Sequence, residues 1–175
     1  MNREHHYSVD VAWLGNRGTG TSGYREYGRQ GTIEAAGKHP IESSADRTFH
    51  GDADRWNPEE LLLAALAECH MLSFLHVAVK HGVVVTGYTD AATGTMEQEG
   101  DGGRFTSVTL HPRVTVTASV EPEEFERMHA EANAVCFIAN SVAFPVHHDA
   151  VAVVEAADVE ADGDRADVDR ADVVG

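Results

Sequence analysis

Cys69 and Cys136 are the only two thiols in a chain of 175 residues, and they lie 67 positions apart. Two cysteines cannot build a disulfide scaffold of the secreted kind; in a reducing compartment they are either inert core or chemically active. Cys69 sits between Glu68 and His70 inside an apolar stretch, where a free thiol also packs well as a small hydrophobe. Cys136 follows an acidic segment and opens the run Cys-Phe-Ile-Ala-Asn-Ser-Val, which reads as the start of a short helix. At such a position the free amides and the helix dipole favour a thiolate, and the core alternative stands beside it.

Other chemistries fit less well. Eleven histidines are present, and Cys69, His70, Cys136, His147, His148 and Asp149 could be gathered into a metal site. There is no CxxC and no HExxH, however, and neighbours such as His147 and His148 on a strand point to opposite faces. No metal and no cofactor are expected. Gly15-Asn-Arg-Gly-Thr-Gly lacks the Lys-Ser/Thr of a phosphate-binding loop. A cysteine acyl-transfer enzyme needs a histidine base, but His70 lies about 100° around the helix from Cys69.

The element that must carry Cys69 is the clearest in the chain. Asn57-Pro58-Glu59-Glu60 supplies an N-cap, a proline at the first helical position and an acid three residues after the cap. The helix should run about 24 residues to Lys80-His81-Gly82, roughly 36 Å. Its apolar and small residues point in nearly every direction, so it should be buried on all sides. One subunit of this size has little material to surround it, which predicts an intertwined homodimer. Before it, Tyr7 to Leu14 and Tyr24 to Glu34 read as strands of a hairpin, and Lys38 to Trp56 as loop. After it, Val83 to Tyr88, Ala91 to Gln98 and Phe105 to Val120 read as strands, with Gly100 to Gly103 as a turn. Glu121-Pro122-Glu123-Glu124 opens a second helix reaching about Ala134, and His148 to Ala157 is a final strand. A domain over 1–157 is therefore expected, followed by an acidic, disordered tail over 158–175.

The formal charge is −16, of which the tail supplies −5 through seven acidic and two basic residues. That excess repels phosphate, so neither nucleic acid nor an anionic membrane is an expected partner. Leu61 to Val79 is interrupted by Glu68, His70, Ser73 and His76, which disfavours a membrane span, and Met1 to Gly15 does not read as a signal peptide. A cytoplasmic protein is expected. Only Lys38 and Lys80 are lysines, against eleven arginines, a surface suited to concentrated salt.

The run Asn57-Pro58-Glu59-Glu60-Leu-Leu-Leu-Ala-Ala-Leu-Ala-Glu-Cys69-His resembles the OsmC/Ohr family of thiol-dependent peroxidases. Cys136, with Asn140-Ser141 behind it, is similar to the family's second cysteine motif, although Phe137 stands where much of the family has proline. The resemblance spans residues 7 to 157. It implies an α+β fold, an antiparallel sheet packed in two layers on a long buried central helix, in a homodimer. It further implies that Cys69 attacks an organic or hydrogen peroxide and that Cys136 resolves the sulfenic acid as a disulfide. A free thiol is mostly protonated near neutrality, so a cation is needed beside Cys69. In the family an arginine supplies it, held by the glutamate that corresponds to Glu59. Arg25 resembles the arginine placement of the organic-hydroperoxide branch; Arg47, close to His50, resembles the loop placement of other branches. Arg25 is preferred.

Glu59 and Cys69 are ten residues apart, about 15 Å along one straight helix, so Glu59 should serve the Cys69 of a partner subunit. An apolar wall of Leu66, Met71, Leu72 and Phe74 would favour organic peroxides. The partners implied are a second copy of the chain, a peroxide, and a thiol or dithiol reductant such as a dihydrolipoyl group. The rival reading is a non-enzymatic stress protein that binds a hydrophobic ligand in the same cleft.

Overall fold

In the computed structural model the described residues are 4–155, so the acidic tail lies outside them. The helix announced by the capping chemistry is α1, Pro58–Lys80. The Asn57 side chain accepts from the Glu60 amide at 2.8 Å, and the Glu60 carboxylate accepts from the Asn57 amide at 3.3 Å. Gly82, at φ 69°, lets the chain leave the helix in a left-handed conformation that a side chain would strain.

Among the described residues nine short strands form three sheets of three. The first holds β1 (Asp10–Trp13), β2 (Gly31–Glu34) and β3 (Ile41–Ser43), all antiparallel. The second is ordered β4 (Val85–Asp90), β7 (Pro112–Val116), β9 (Val151–Val154), and the third β5 (Thr93–Glu99), β6 (Gly102–Leu110), β8 (Val146–His148). In both of these the third strand joins in parallel, β9 on β7 and β8 on β6. The fold is α+β, but the expected antiparallel sheet is corrected to a mixed one. The strand expected over Phe105 to Val120 breaks at His111, whose amide donates to Asp90 Oδ1 at 2.8 Å, and its two halves serve different sheets.

The strand expected from Tyr24 to Glu34 also shrinks. Only Gly31–Glu34 is strand, because the Arg29 guanidinium lies over the Tyr24 and Tyr27 rings, 4.6 and 4.1 Å from their centroids. It donates to both of their carbonyls at 2.7 Å, and that clamp curls residues 24–27 into a turn. The segment expected as loop contains β3 and a 3-10 turn, Arg47–Phe49.

The second helix, α2, is Pro122–Val135. Phe74, Val77 and Ala78 of α1 pack with Phe125, Met128 and Ala132 of α2 and with Val114 and Val116 of β7. Leu66, two stripe positions before Phe74 on α1, joins Val108 and Leu110 of β6. Within one chain α1 is buried along a single stripe of Leu66, His70, Phe74, Val77 and Ala78. Leu72 remains 57% exposed and Val79 77%. By length and composition α1 could cross a membrane, yet its buried stripe is built into the core between α2 and the sheets.

Candidate active site

Cys69 sits on the flank of the buried stripe of α1, half-buried, one residue before His70. Cys136 is fully buried and is the residue that ends α2; its backbone is extended and its amide bonds Asn133 O at 3.3 Å. The expectation that Cys136 begins a helix is therefore corrected. It lies at the negative end of α2, and the following 3-10 turn, Ala139–Ser141, starts three residues later.

The two sulfurs are 2.8 Å apart, with both thiols free and the Cys136 thiol directed at Cys69 Sγ. Burial pushes the Cys136 thiol up to about 11, the contact with Cys69 adds to the rise, and the Ala139 amide, donating to Sγ at 3.4 Å, opposes it. Cys136 is thus held as a neutral thiol. Asn140 fixes its backbone, since Nδ2 donates to Ala134 O at 3.0 Å and to Cys136 O at 2.9 Å. Ser141 Oγ donates to Phe137 O at 2.7 Å.

Cys69 opens on a cleft of about 740 Å³ whose walls include Ala65, Leu72, Val135, Phe137 and Ile138, with Tyr7, Glu68 and His76 at its edge. Phe137 is 72% exposed here. The wall expected from sequence is partly corrected. Leu72 lines the cleft, whereas Leu66 and Phe74 are in the core and Met71 does not reach it.

Glu59 lies elsewhere. It faces a second cleft, about 580 Å³, with Asp46, Phe49, Leu63, Met96 and Phe105. Its Oε2 is buried and has no hydrogen-bond partner among the described residues. Arg25 is exposed in the turn made by the Arg29 clamp, and so not on a strand. Arg47 is exposed in the 3-10 turn whose neighbours Asp46, Thr48 and Phe49 line the Glu59 cleft. Within one chain, then, the cysteines meet each other, while Glu59, Arg25 and Arg47 do not line their cleft.

Two features escaped the sequence. One is the Arg29 clamp. The other is a cluster of the buried His70 and His129 with the half-buried His148, His70 Nε2 lying 2.9 Å from His129 Nδ1. Burial lowers His70 to about 4 and His129 to about 3, and the neighbouring rings add to both shifts; burial also lowers His148. The signal was available: His70 lies midway between Leu66 and Phe74 at helical spacing, and His129 one turn after Phe125. Among the described residues no three His, Cys, Asp or Glu side chains converge as metal ligands.

A family model described as OsmC-like protein matches residues 51–151. An OsmC-like protein of unknown function from Vibrio cholerae is similar over 85% of this chain and 100% of its own, at 32% identity and a TM-score of 0.76. An organic hydroperoxide resistance protein OsmC from Legionella pneumophila covers 85% of this chain and 98% of its own, at 20% identity and a TM-score of 0.62. An organic hydroperoxide resistance protein from Elizabethkingia anophelis, with a thiocyanate bound, covers 87% and 100%, at 18% identity and 0.63. No curated protein matches the chain. The family match extends over more than half of the sequence and contains both cysteines, and the Vibrio protein is alike in sequence and in fold, so this chain belongs to the OsmC-like family.

Proposed function

We propose that the chain is a two-cysteine peroxidase that reduces organic hydroperoxides. The observation that carries this reading is the 2.8 Å contact between a half-buried thiol on an apolar cleft and a fully buried one. The Cys69 thiolate attacks one peroxide oxygen, the O–O bond breaks, and the other oxygen leaves and takes a proton as an alcohol. Cys69 is then a sulfenic acid. The Cys136 sulfur attacks it, the sulfenic hydroxyl takes the Cys136 proton and leaves as water, and a disulfide forms. A thiol or dithiol from solution reduces that disulfide and restores both thiols. A neutral Cys136 suits this order, since it is not itself a competing nucleophile toward the peroxide. The apolar cleft supports an organic substrate, as do the names of the Legionella and Elizabethkingia relatives.

The working unit in this reading is a homodimer. The exposed face of α1 with Leu72 and Val79, and the orphaned Glu59 carboxylate, are the features a second copy would cover. Glu59 of the partner subunit would then hold an arginine, Arg25 or Arg47, against Cys69. The net charge of −16 supports a protein without a nucleic-acid or anionic-membrane partner, and a cytoplasmic location is part of the same reading.

Consumption of cumene hydroperoxide with a dithiol reductant tests this directly. Cys69→Ser should lower turnover by about 10³-fold or more. Unchanged turnover ends the peroxidase reading and leaves a protein that binds an apolar ligand in the same cleft.

A further inference from the structure

Each cysteine is carried by its own helix, and one hydrogen bond ties those helices beside them. His70 follows Cys69 on α1, and His129 precedes Cys136 by seven residues, about two turns, so both lie on the same side of α2. Whatever fixes the rotation of α2 at His129 also fixes where Cys136 points. Resting on the peroxidase reading, we propose that His70, His129 and His148 form an acid-sensitive latch that keeps Cys136 against Cys69, so that acid stalls the cycle at the sulfenic acid.

The geometry suits a latch that works only when neutral. His70 and His129 are fully buried, with ring centroids 5.2 Å apart and planes 14° apart. His148 of β8 stacks on His70 at 5.7 Å and lies tilted against His129 at 5.6 Å, and Phe74 stacks on His129 at 4.1 Å. The bond of 2.9 Å needs one ring nitrogen to accept; two imidazolium rings would turn two N–H groups on each other. The other nitrogens, His70 Nδ1 and His129 Nε2, are buried without a hydrogen-bond partner among the described residues, so a proton arriving there has no acceptor. The charged groups nearby are Glu126 of α2 and Asp149 after β8, which line one cleft with both His148 and His129 yet hydrogen-bond neither ring, and His147, which adjoins His148. Phe125 closes on His129 at 4.7 Å. A charge on the inner two rings would therefore be buried away from water with no hydrogen-bond acceptor for its added proton, which disfavours it.

The sign follows from burial. Both inner rings are held below their ordinary value, so the closed state is favoured above it and loses ground as pH falls toward about 4. An open state in which each ring titrates near 6.5 gains about thirtyfold per ring between about pH 7.5 and pH 5. The step that stalls is sulfenic acid plus thiol giving disulfide plus water.

The test uses the full reduced chain, one equivalent of cumene hydroperoxide, and dimedone, which forms a thioether with a sulfenic acid and releases water. Mass spectrometry gives the ratio of dimedone adduct on Cys69 to Cys69–Cys136 disulfide at about pH 7.5 and pH 5. The same is done with the double substitution His70→Phe, His129→Leu, which retains the intrinsic pH dependence of the thiols. The ratio should rise at least about tenfold more in the parent protein than in the variant; an equal rise overturns the latch. Neither product at any pH sinks the peroxidase reading instead. Independently of turnover and of the variant's folding, the His70 and His129 ring resonances of the parent protein should titrate well below 6.5, with loss of α1–α2 contacts. Titration with those contacts intact overturns the latch.

Discussion

The two clefts strung along α1 are complementary in what they lack. The cleft near the middle of the helix has apolar walls and the Cys69 thiol, with the buried Cys136 thiol in contact behind it, and among the described residues no arginine lines it. The cleft at the N-terminal end holds a carboxylate with one buried, unpartnered oxygen, beside a loop that carries Arg47, and no thiol. About 15 Å of helix separates Glu59 from Cys69, and no rotamer spans that distance. A buried carboxylate oxygen without a partner is costly. The contrast teaches that, on the proposed dimeric reading, each cleft supplies what the other lacks, and a second copy of the chain would complete both at once.

Breaking the first half should have the largest consequence. Cys136→Ser leaves Cys69 able to react once with peroxide but removes intramolecular capture, so dithiol-supported turnover should fall by about 10² to 10³-fold. Rapid-quench measurement of Cys69 oxidation should meanwhile show one turnover surviving. Breaking the second half should cost less: Glu59→Ala should slow turnover by about 10- to 100-fold. The comparison itself is tested by mixing. Glu59→Ala and Cys69→Ser chains, each inactive or slow, should recover activity on subunit exchange, because one mixed site then holds an intact Cys69 and an intact Glu59. Failure of the mixture to recover while exchange is complete would end the trans arrangement and separate Glu59 from the chemistry of Cys69.

Local signals carried much of this molecule. Asn57-Pro58 and Glu60 fixed the start of α1, Gly82 its exit, and Glu121-Pro122 the start of α2, because caps are written within four residues of where they act. Distant partners were illegible for the same reason. Nothing near Tyr24 announces that Arg29 will fold back onto its ring and replace a strand with a turn. Alternation through residues 105–120 could not show that His111 breaks the run, since the break depends on Asp90, 21 residues earlier. Parallel pairing of β8 and β9 is likewise a property of long-range topology. At the site, the family motif picked out both cysteines, but the local placement of Cys136 was misread: an extended C-cap and a helix start look alike when the residues on both sides favour helix.

The smallest effect discriminates most finely, because it compares two adjacent glutamates. Glu60 is the third helical residue and its carboxylate closes the capping box on the Asn57 amide, while Glu59, one position earlier, makes no such bond and turns its oxygen into the second cleft. Glu60→Ala should therefore lower unfolding stability by about 0.5–1 kcal/mol and leave kcat/KM within about twofold. Glu59→Ala should lower kcat/KM as above and change stability by less than about 1 kcal/mol, since its only local asset is a first-turn charge. Paired measurement of denaturant midpoint and peroxide turnover on the two variants reads both axes at once. If both variants moved only the midpoint, Glu59 would be a helix-stabilising acid like its neighbour, and the second cleft would lose its claim to half of the site.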